Sequence, residues 1–520
     1  MKRRTVLKAA AASGLLPLIG RAVPAAPAVA APAAGEGARP RPHLLFREGF
    51  DAVPNPAAFT HRLPEGWTSA VEGVTSGEKR WEGWTLATIR DWAWACGTDK
   101  RHWFTRGHRQ VAIVESRQQR LNATDSMDAH LLSPEIAVSG HAAVVVEFDS
   151  HYRQGRPGQR AAVTAEIDGR EREILRLESD RFSSRESLTV KLPAGATTLR
   201  LGFHYLGGND DWFWAIDNVA VTVPLSEPAG PPLAIVDVLS DVQGDIEGYE
   251  DAVRQLNAMP EPAHALVING DAVDNGSARL WEEFSAATAR TPHASGRTIM
   301  TAGNHEMYGD EGSETYIRRF LERSGSRELW GETLVAGVPL LTLNSEYYSD
   351  VDRDGKEPFV RMSPEQLAWL DERLAHWAAR DTPVLLFAHY LLPNTVSMSH
   401  SAWYQNDYED IEALSEVLGR YTHQVMFTSH SHASLLHQHD WWGVRRYTGT
   451  GEAGERGFPV VNTGAILNAY MPEGDHDETI LDGPATSGLR VRVYEDRVRV
   501  EAWDFVGKKR VRVRDFSATN

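Results

Sequence analysis

The pattern of hydrophobic residues changes near residue 230 and divides the chain into two parts. Between residues 44 and 223, short runs of alternating apolar and polar residues are separated by turn residues, without a long helical periodicity. From residue 232 onward, continuous apolar runs alternate with segments of helical spacing. Period-two alternation predicts half-buried strands, whereas buried runs separated by helices predict an α/β fold. We therefore expect a multidomain protein, all-β first and α/β second.

The first part is predicted to be a β-sandwich of the jelly-roll type, spanning residues 44–225. Candidate strands lie at residues 144–148, 162–167, 187–190 and 198–201, and Asp168-Gly169 is a hairpin-turn signal between two of them. Residues 226–232 are rich in proline and glycine and are predicted to link this domain to the second, residues 233–520. Such a linker predicts that residues 226–520 fold and work alone.

Short motifs within the sandwich resemble the adhesin- or carbohydrate-type jelly rolls that accompany secreted bacterial enzymes. The motifs are residues 48–51 with 63–67, 132–134 and 214–219. The resemblance implies a carbohydrate or cell-surface ligand, and a structural calcium ion for which Glu48 and Asp217 are the candidate ligands. A sandwich whose acidic residues are simply solvated is the alternative.

Polar residues follow five buried runs of the second part, at the point where each predicted strand ends. The runs are residues 233–239, 265–268, 298–300, 384–388 and 425–428, and predicted helices occupy residues 246–258, 278–290 and about 364–379. Since ligands of open α/β sheets bind at the carboxyl ends of strands, we expect these polar groups to converge at one sheet. Carboxylate, amide and imidazole ligands without thiolate suit two divalent ions such as Mn, Fe or Zn. The residues are Asp241, Gln243, Asp271, Asn304, His305, His389, His430 and His432.

The ordered set resembles the calcineurin-like metallophosphoesterases and extends from residue 241 to about residue 467. The resemblance implies that Asp271 is a catalytic carboxylate bridging two metals. It assigns Asp241, Gln243 and His432 to one metal, and Asn304, His389 and His430 to the other. His305 would be the general acid, or would stabilise the developing charge. One or both of Asp274 and Glu306 are expected to orient ligand or catalytic histidines.

Two positions depart from the family pattern. Gln243 stands where the family has histidine, which should weaken the first metal site and favour Mn²⁺, Fe²⁺ or Mg²⁺ over Zn²⁺. The amide could also reach the metal only through water. Ser429 replaces a glycine of the last motif. We retain an alternative function, motivated by Gln243: a secreted glycan- or surface-binding protein with a catalytically weakened phosphoesterase domain.

The amino terminus has the features of an export signal. Residues 1–30 hold five basic residues and no acidic one. Within them, a charged start is followed by a short apolar run and a small-residue cleavage site, as in a signal peptide. The pair Arg3-Arg4 resembles a twin-arginine signal. An ordinary Sec signal is the alternative. We predict a signal peptide at 1–30, a disordered spacer at 31–43, and an exported protein, periplasmic or extracellular.

Composition and net charge restrict the kinds of partner and site that the chain could have. The net charge of −17 argues against nucleic-acid binding through a general positive field. No apolar run is long enough for a classical membrane-spanning helix. Cys96 is the single cysteine, which excludes an intrachain disulfide and a cysteine-based zinc site. The resemblance to metallophosphoesterases implies that the substrate is a phosphomonoester or a phosphodiester.

Overall fold

The computed structural model describes residues 44–517, except residues 76, 120–125, 229, 347–348, 355, 357, 446–456, 475–476, 482 and 484. The predicted signal peptide (1–30) and spacer (31–43) lie outside the described residues.

The first part is built from two antiparallel sheets that enclose one core. The larger sheet has the strand order β11-β8-β13-β5-β4-β2 with β1 beside β13, and the smaller has the order β10-β9-β12-β6-β3 with β7 beside β12. The strands are β1 Leu44–Glu48, β2 Phe59–Thr60, β3 Thr68–Glu72, β4 Thr85–Thr88, β5 Gln110–Glu115, β6 Met127–Leu132, β7 Ile136–Ala137, β8 Ala143–Tyr152, β9 Arg160–Ile167, β10 Arg170–Leu177, β11 Arg181–Lys191, β12 Thr198–Gly208 and β13 Phe213–Thr222.

This arrangement confirms the predicted all-β sandwich. Asp168 and Gly169 join β9 to β10 and both have positive φ, 47° and 76°, as a two-residue hairpin turn requires. The sequence pattern missed the short helix α1, Ile89–Cys96, which begins where the Thr88 hydroxyl accepts a hydrogen bond from Asp91 N.

The second part alternates strands with helices. Its strands are β14 Ala234–Leu239, β15 Ala265–Asn269, β16 Thr298–Thr301, β17 Gly331–Val335, β18 Val338–Thr342, β19 Val384–Phe387, β20 Gln424–Thr428, β21 Trp442–Arg445, β22 Phe458–Asn462, β23 Tyr470–Glu473, β24 Asp477–Ile480, β25 Ser487–Val493, β26 Arg497–Asp504 and β27 Lys509–Ser517. Its helices are α2 Ile246–Asn257, α3 Ala278–Arg290, α4 Ser313–Ser324, α5 Pro364–Ala378, α6 Ala402–Gln405 and α7 Ile411–Leu418. Within the described residues, no helix is both long and apolar enough to cross a membrane.

The expectation of a single sheet is wrong, because the strands that carry these polar residues belong to two sheets. One six-stranded sheet has the order β16-β15-β14-β25-β26-β27, and the other has β17-β18-β19-β20-β22-β21. The two sheets share a buried core that includes Val236 and Val267 from the first and Leu385 and Phe427 from the second. Strands β14 to β16 run parallel to one another, as do β18, β19, β20 and β22, so the polar residues that follow them leave the sheets at carboxyl ends.

The helices start where the sequence places their caps. The Ser363 hydroxyl accepts a hydrogen bond from Gln366 N, with Pro364 at the first helical position of α5. The Asp245 carboxylate accepts one from Gly248 N at the start of α2. Both helices carry buried residues on one face, as expected for helices covering a sheet.

A buried arginine joins the sandwich to the second part, and both belong to one compact unit. The Arg106 guanidinium donates to the carbonyl oxygens of Ser183 and Trp442, and it lies 4.2 Å from the centre of the Trp442 ring. Thr105 Oγ1 donates to Asp440 Oδ2 at 3.1 Å. These buried contacts join the two parts, and the expectation that residues 226–520 work alone stays a prediction.

An ion pair joins the two parts at a second place. Arg514 Nη1 on β27 lies 2.6 Å from Glu147 Oε1 on β8. Burial alone would raise the pKa of Glu147, but Arg514 and Arg185 lower it to about 2. The ionised carboxylate is therefore favoured in the folded protein.

We predict that residues 226–520 alone unfold at a lower temperature than the whole chain. Without the sandwich, Trp442 and Asp440 lose the covering contacts of Thr105 and Arg106. A loss of about 2 kcal/mol would lower the midpoint by roughly 4–8 °C. Thermal unfolding of both proteins at equal metal concentration checks this, and identical midpoints would show that the contacts contribute nothing.

We also predict that Glu147→Gln lowers stability near neutral pH. The depressed pKa contributes stability that is present above the unfolded-state value, near 4.3, and is lost as pH falls toward about 2. The unfolding free energies of wild type and variant should therefore converge as pH falls through this window. Glu173→Gln, at an exposed pair with Arg176, is the matched control and should have little effect. A constant difference between pH 6 and pH 2 would contradict the assignment.

Candidate metal centre

The predicted metal-binding residues are brought together where strand ends of the two sheets meet. Asp241, Asp271 and Asn304 follow β14, β15 and β16 of the first sheet. His389 follows β19 of the second sheet, and His430 and His432 follow β20. Ligand-type atoms of Asp241, Asp271 and His432 all lie within 4.8 Å of one another, and so do those of Asp271, His389 and His430. Asp271 is common to both groups.

The backbone is left-handed at several of these positions. A positive φ is unfavourable for residues with a Cβ and costs about 1–3 kcal/mol each, so such residues concentrate where function requires a particular geometry. Hydrogen bonds from Asp241 N to Gly270 O and from Val242 N to Asp271 O hold two of the loops against each other. The residues concerned are Asp241 (51°), Gln243 (42°), Asp271 (53°), His430 (65°) and His432 (50°).

Two histidines are held in the same tautomer by backbone carbonyls. His389 Nδ1 donates to Asn269 O at 2.8 Å, and His432 Nδ1 donates to Asn468 O at 3.1 Å. A carbonyl oxygen can only accept, so the proton is on Nδ1 and Nε2 is the nitrogen left for a ligand. His389 Nε2 lies 3.2 Å from Asp271 Oδ2, and His432 Nε2 lies 3.2 Å from Asp241 Oδ1.

Asn304 and Gln243 lie beside the two groups of ligand-type atoms that share Asp271. Asn304 Oδ1 lies 3.2 Å from His389 Nε2, while its amide nitrogen donates to the Tyr308 hydroxyl. Gln243 Nε2 lies 2.9 Å from Asp271 Oδ2 and 3.1 Å from His432 Nε2. The substituted position therefore sits within the cluster, where a half-turn of the amide would present its oxygen instead.

Aromatic rings enclose both histidines of the last motif. Tyr470 stacks on His432 with ring centroids 4.9 Å apart. Tyr390 and Tyr404 pack against His430 at 5.1 and 5.2 Å. His430 also lies beside Asp407, with Nε2 at 3.4 Å from Oδ2. Sequence reasoning missed Asp407 because it lies in the insert after His389 and belongs to no motif.

His305 lies at the edge of the cluster and is more accessible than its other histidines. Its side chain is 21% exposed, and Nε2 lies 4.0 Å from Asp271 Oδ2. Nδ1 donates to the Asp274 carbonyl at 2.7 Å and lies 3.7 Å from the Asp274 carboxylate. Asp274 thus orients His305, in line with the expectation from the sequence.

Glu306 supports the backbone of the site, whereas Asp274 is the acid that orients a histidine. Its carboxylate accepts hydrogen bonds from the backbone N–H groups of Asp271, Ala272 and Gly303, and so ties the β15 loop to the β16 loop. Burial and the nearby Asp271 carboxylate raise the pKa of Glu306 to about 7. It orients backbone rather than a histidine.

Charge in the cluster is balanced between buried carboxylates and imidazoles. Burial would raise the pKa of Asp271, but His389 and His305 hold it well below its usual range. Burial would lower the pKa of His389, but Asp271 and Asp241 raise it to about 10. Positive charge is therefore strongly favoured at this place.

The donor set fits divalent cations. Asp241 Oδ1 is buried and accepts no hydrogen bond within the described structure, although His432 Nε2 lies nearby. The other oxygen of Asp241 accepts a hydrogen bond from Ser429 Oγ, at the position where the family pattern has glycine. A buried carboxylate oxygen without a donor, facing imidazole nitrogens, is the arrangement expected of a metal ligand.

The acids singled out in the sandwich are engaged with the backbone. Glu48 Oε1 accepts from Phe50 N, and Asp217 accepts from His108 N and Asn218 N. Neither belongs to a group of three or more candidate ligands among the described residues.

Comparisons with known proteins agree with this geometry. The family model described as "Calcineurin-like phosphoesterase" matches residues 235–434, less than half of the chain. No curated protein matches the sequence significantly.

Solved structures similar to the chain include a dimetal phosphatase from Danio rerio, with 16% identity, 55% of this chain and 99% of that chain covered, and a TM-score of 0.37. A purple acid phosphatase from yellow lupin (Lupinus luteus) has 10% identity, covers 78% and 81%, and has a TM-score of 0.39. The K1 cleaved adhesin domain of Lys-gingipain from Porphyromonas gingivalis has 15% identity, covers 35% and 98%, and has a TM-score of 0.22. Residues 235–434 of the chain thus match the calcineurin-like phosphoesterase family model.

Proposed function

We propose that this protein is an exported phosphoesterase that uses two divalent metals to hydrolyse phosphomonoesters or phosphodiesters. The observation that carries the proposal is the sharing of Asp271 between two groups of ligand-type atoms. Asp241, Gln243 and His432 would hold one ion, and Asn304, His389 and His430 the other. When bound, two such ions neutralise a phosphate and supply a nucleophilic hydroxide at neutral pH.

The protein's own residues prepare the site for this chemistry. The carbonyls of Asn269 and Asn468 fix the tautomers of His389 and His432. Glu306 holds the loops that carry Asp271 and Asn304 in register. Because these supports are backbone groups and a buried carboxylate, the site is organised before a substrate arrives.

His305 is the residue placed to act on the leaving group. With Nδ1 protonated and bonded to the Asp274 carbonyl, Nε2 is the atom that gains or loses a proton. A protonated Nε2 can donate to the departing alkoxide oxygen, and the partial exposure of this ring allows contact with a substrate.

The proposal also covers the export route, the identity of the metals and the ligands of the sandwich. Export by the twin-arginine route rests on residues 1–30, and a metal loaded before export would be compatible with it. Mn, Fe and Zn suit the donor set. For the sandwich we propose a carbohydrate or cell-surface ligand, and calcium at Glu48 and Asp217.

We predict that metal-loaded protein hydrolyses p-nitrophenyl phosphate or its bis ester, and that Asp271→Ala abolishes this activity. Losing a carboxylate shared by both metal sites should remove several kcal/mol of charge stabilisation, which corresponds to a fall of about 10³-fold or more. Asp371→Ala on α5, at a surface ion pair with Arg420, is the matched control. Equal background rates in wild type and the Asp271 variant would favour a glycan- or surface-binding protein instead.

We predict that Gln243→His tightens the weaker of two metal-binding steps, more for Zn²⁺ than for Mn²⁺. Imidazole is a stronger donor than an amide to borderline cations, and the side chain already lies beside Asp271 and His432. Titration of metal-free protein with each ion measures the change. Unchanged affinities for both ions would show that residue 243 does not touch a metal.

A further inference from the structure

Asp407 is a fully buried acid in the insert that follows His389. Its relative exposure is 0%, and neither carboxylate oxygen has a hydrogen-bond partner within the described structure. Burying an ionised carboxylate without partners is costly, so such a group calls for a physical reason. His430 lies beside it, with Nε2 at 3.4 Å from Oδ2.

The backbone around Asp407 is fixed. Its carbonyl accepts hydrogen bonds from Phe359 N and Val360 N, both at 2.8 Å, and Glu409 N donates to Val360 O at 2.9 Å. These bonds pair the segment with residues 359–360, so the carboxylate is held in one place next to His430 rather than carried on a free loop.

Other polar groups around His430 are engaged elsewhere. The Tyr404 hydroxyl donates to Glu478 Oε2 at 2.5 Å, and the Tyr408 hydroxyl donates to the Tyr390 carbonyl at 3.2 Å. The rings of Tyr390 and Tyr404 meet His430 through their aromatic surfaces. Asp407 is therefore the acceptor available to His430 Nε2.

His430 thus differs from the other two histidines of the cluster. His389 and His432 give Nδ1 to backbone carbonyls and present Nε2 to the carboxylates. In His430 it is Nε2 that faces a carboxylate outside the cluster, 3.4 Å from Asp407 Oδ2, so Nδ1 is the nitrogen that a donated Nε2–H would leave for a ligand. A carboxylate partner also increases the donor strength of an imidazole more than a neutral carbonyl does.

We propose that Asp407 is a positioning residue that holds His430 as its Nε2–H tautomer, so that Nδ1 binds one of the two metals. The metal-binding part of this inference rests on the proposed function, whereas the tautomer of His430 does not. The insert carrying Asp407 also bonds to Asp440 through Ser397, and Asp440 accepts from Thr105 of the sandwich. Asp407 is therefore carried by the same insert that contacts the sandwich through Asp440.

The test compares Asp407→Asn with Asp440→Asn in the full chain. Asparagine keeps the shape of aspartate but lacks its charge, so metal-free Asp407→Asn should fold and unfold at a temperature close to that of wild type. Titration with Mn²⁺ should show one of two binding steps weakened about 10- to 100-fold. Asp440→Asn, which removes charge from the same region without touching His430, should leave both steps unchanged.

A second measurement on the wild type keeps the inference testable if the variant does not fold. Long-range ¹H–¹⁵N spectra of histidine-labelled, metal-free protein distinguish the two tautomers, and His430→Gln assigns the signal. A proton on Nε2 of His430 supports the proposal, and a proton on Nδ1 overturns it. Unchanged Mn²⁺ affinities in Asp407→Asn would overturn it too. Wild type that binds no metal yet shows the Nε2–H tautomer would instead refute the proposed metal function and leave the Asp407–His430 contact standing.

Discussion

Two buried carboxylates, those of Asp241 and Asp271, impose the main physical constraint on this protein. Both are fully buried and close together, so their ionised forms require positive charge beside them. In the described structure the imidazoles of His389 and His432 face them, and these carboxylates raise the pKa of both histidines. Metal ions would replace those protons, because imidazole binds a metal only when its ligating nitrogen is unprotonated. Metal binding and proton release are therefore coupled at this centre.

The rest of the architecture can be understood as support for that charge cluster. Two sheets share one core, and their strand ends supply ligands from both sides. Left-handed backbone at Asp241, Asp271 and His432 turns the chain sharply after each strand, and Glu306 ties two of the loops together. The sandwich contacts the second part through Thr105, which donates a hydrogen bond to Asp440.

Much of this could be predicted from the sequence, since strand-end residues and helix caps depend on local chemistry. The helix predicted at residues 278–290 matches α3, Ala278–Arg290, and Ser363 caps α5 as its spacing indicates. The division into two sheets was not predictable, because it depends on which buried runs pair, and all of them look alike. Asp407 was missed for a related reason: its partner His430 is distant in sequence, and an acid within an insert has no distinguishing spacing.

The most direct test of this account is anomalous diffraction from crystals of the whole chain grown with Mn²⁺. Two anomalous peaks are expected, about 3.5–4 Å apart, on either side of the Asp271 carboxylate. One peak should be contacted by His432 and Asp241, and the other by His389 and by His430 through Nδ1. A single peak, or two peaks that do not share Asp271, would contradict the assignment of a binuclear centre to these residues.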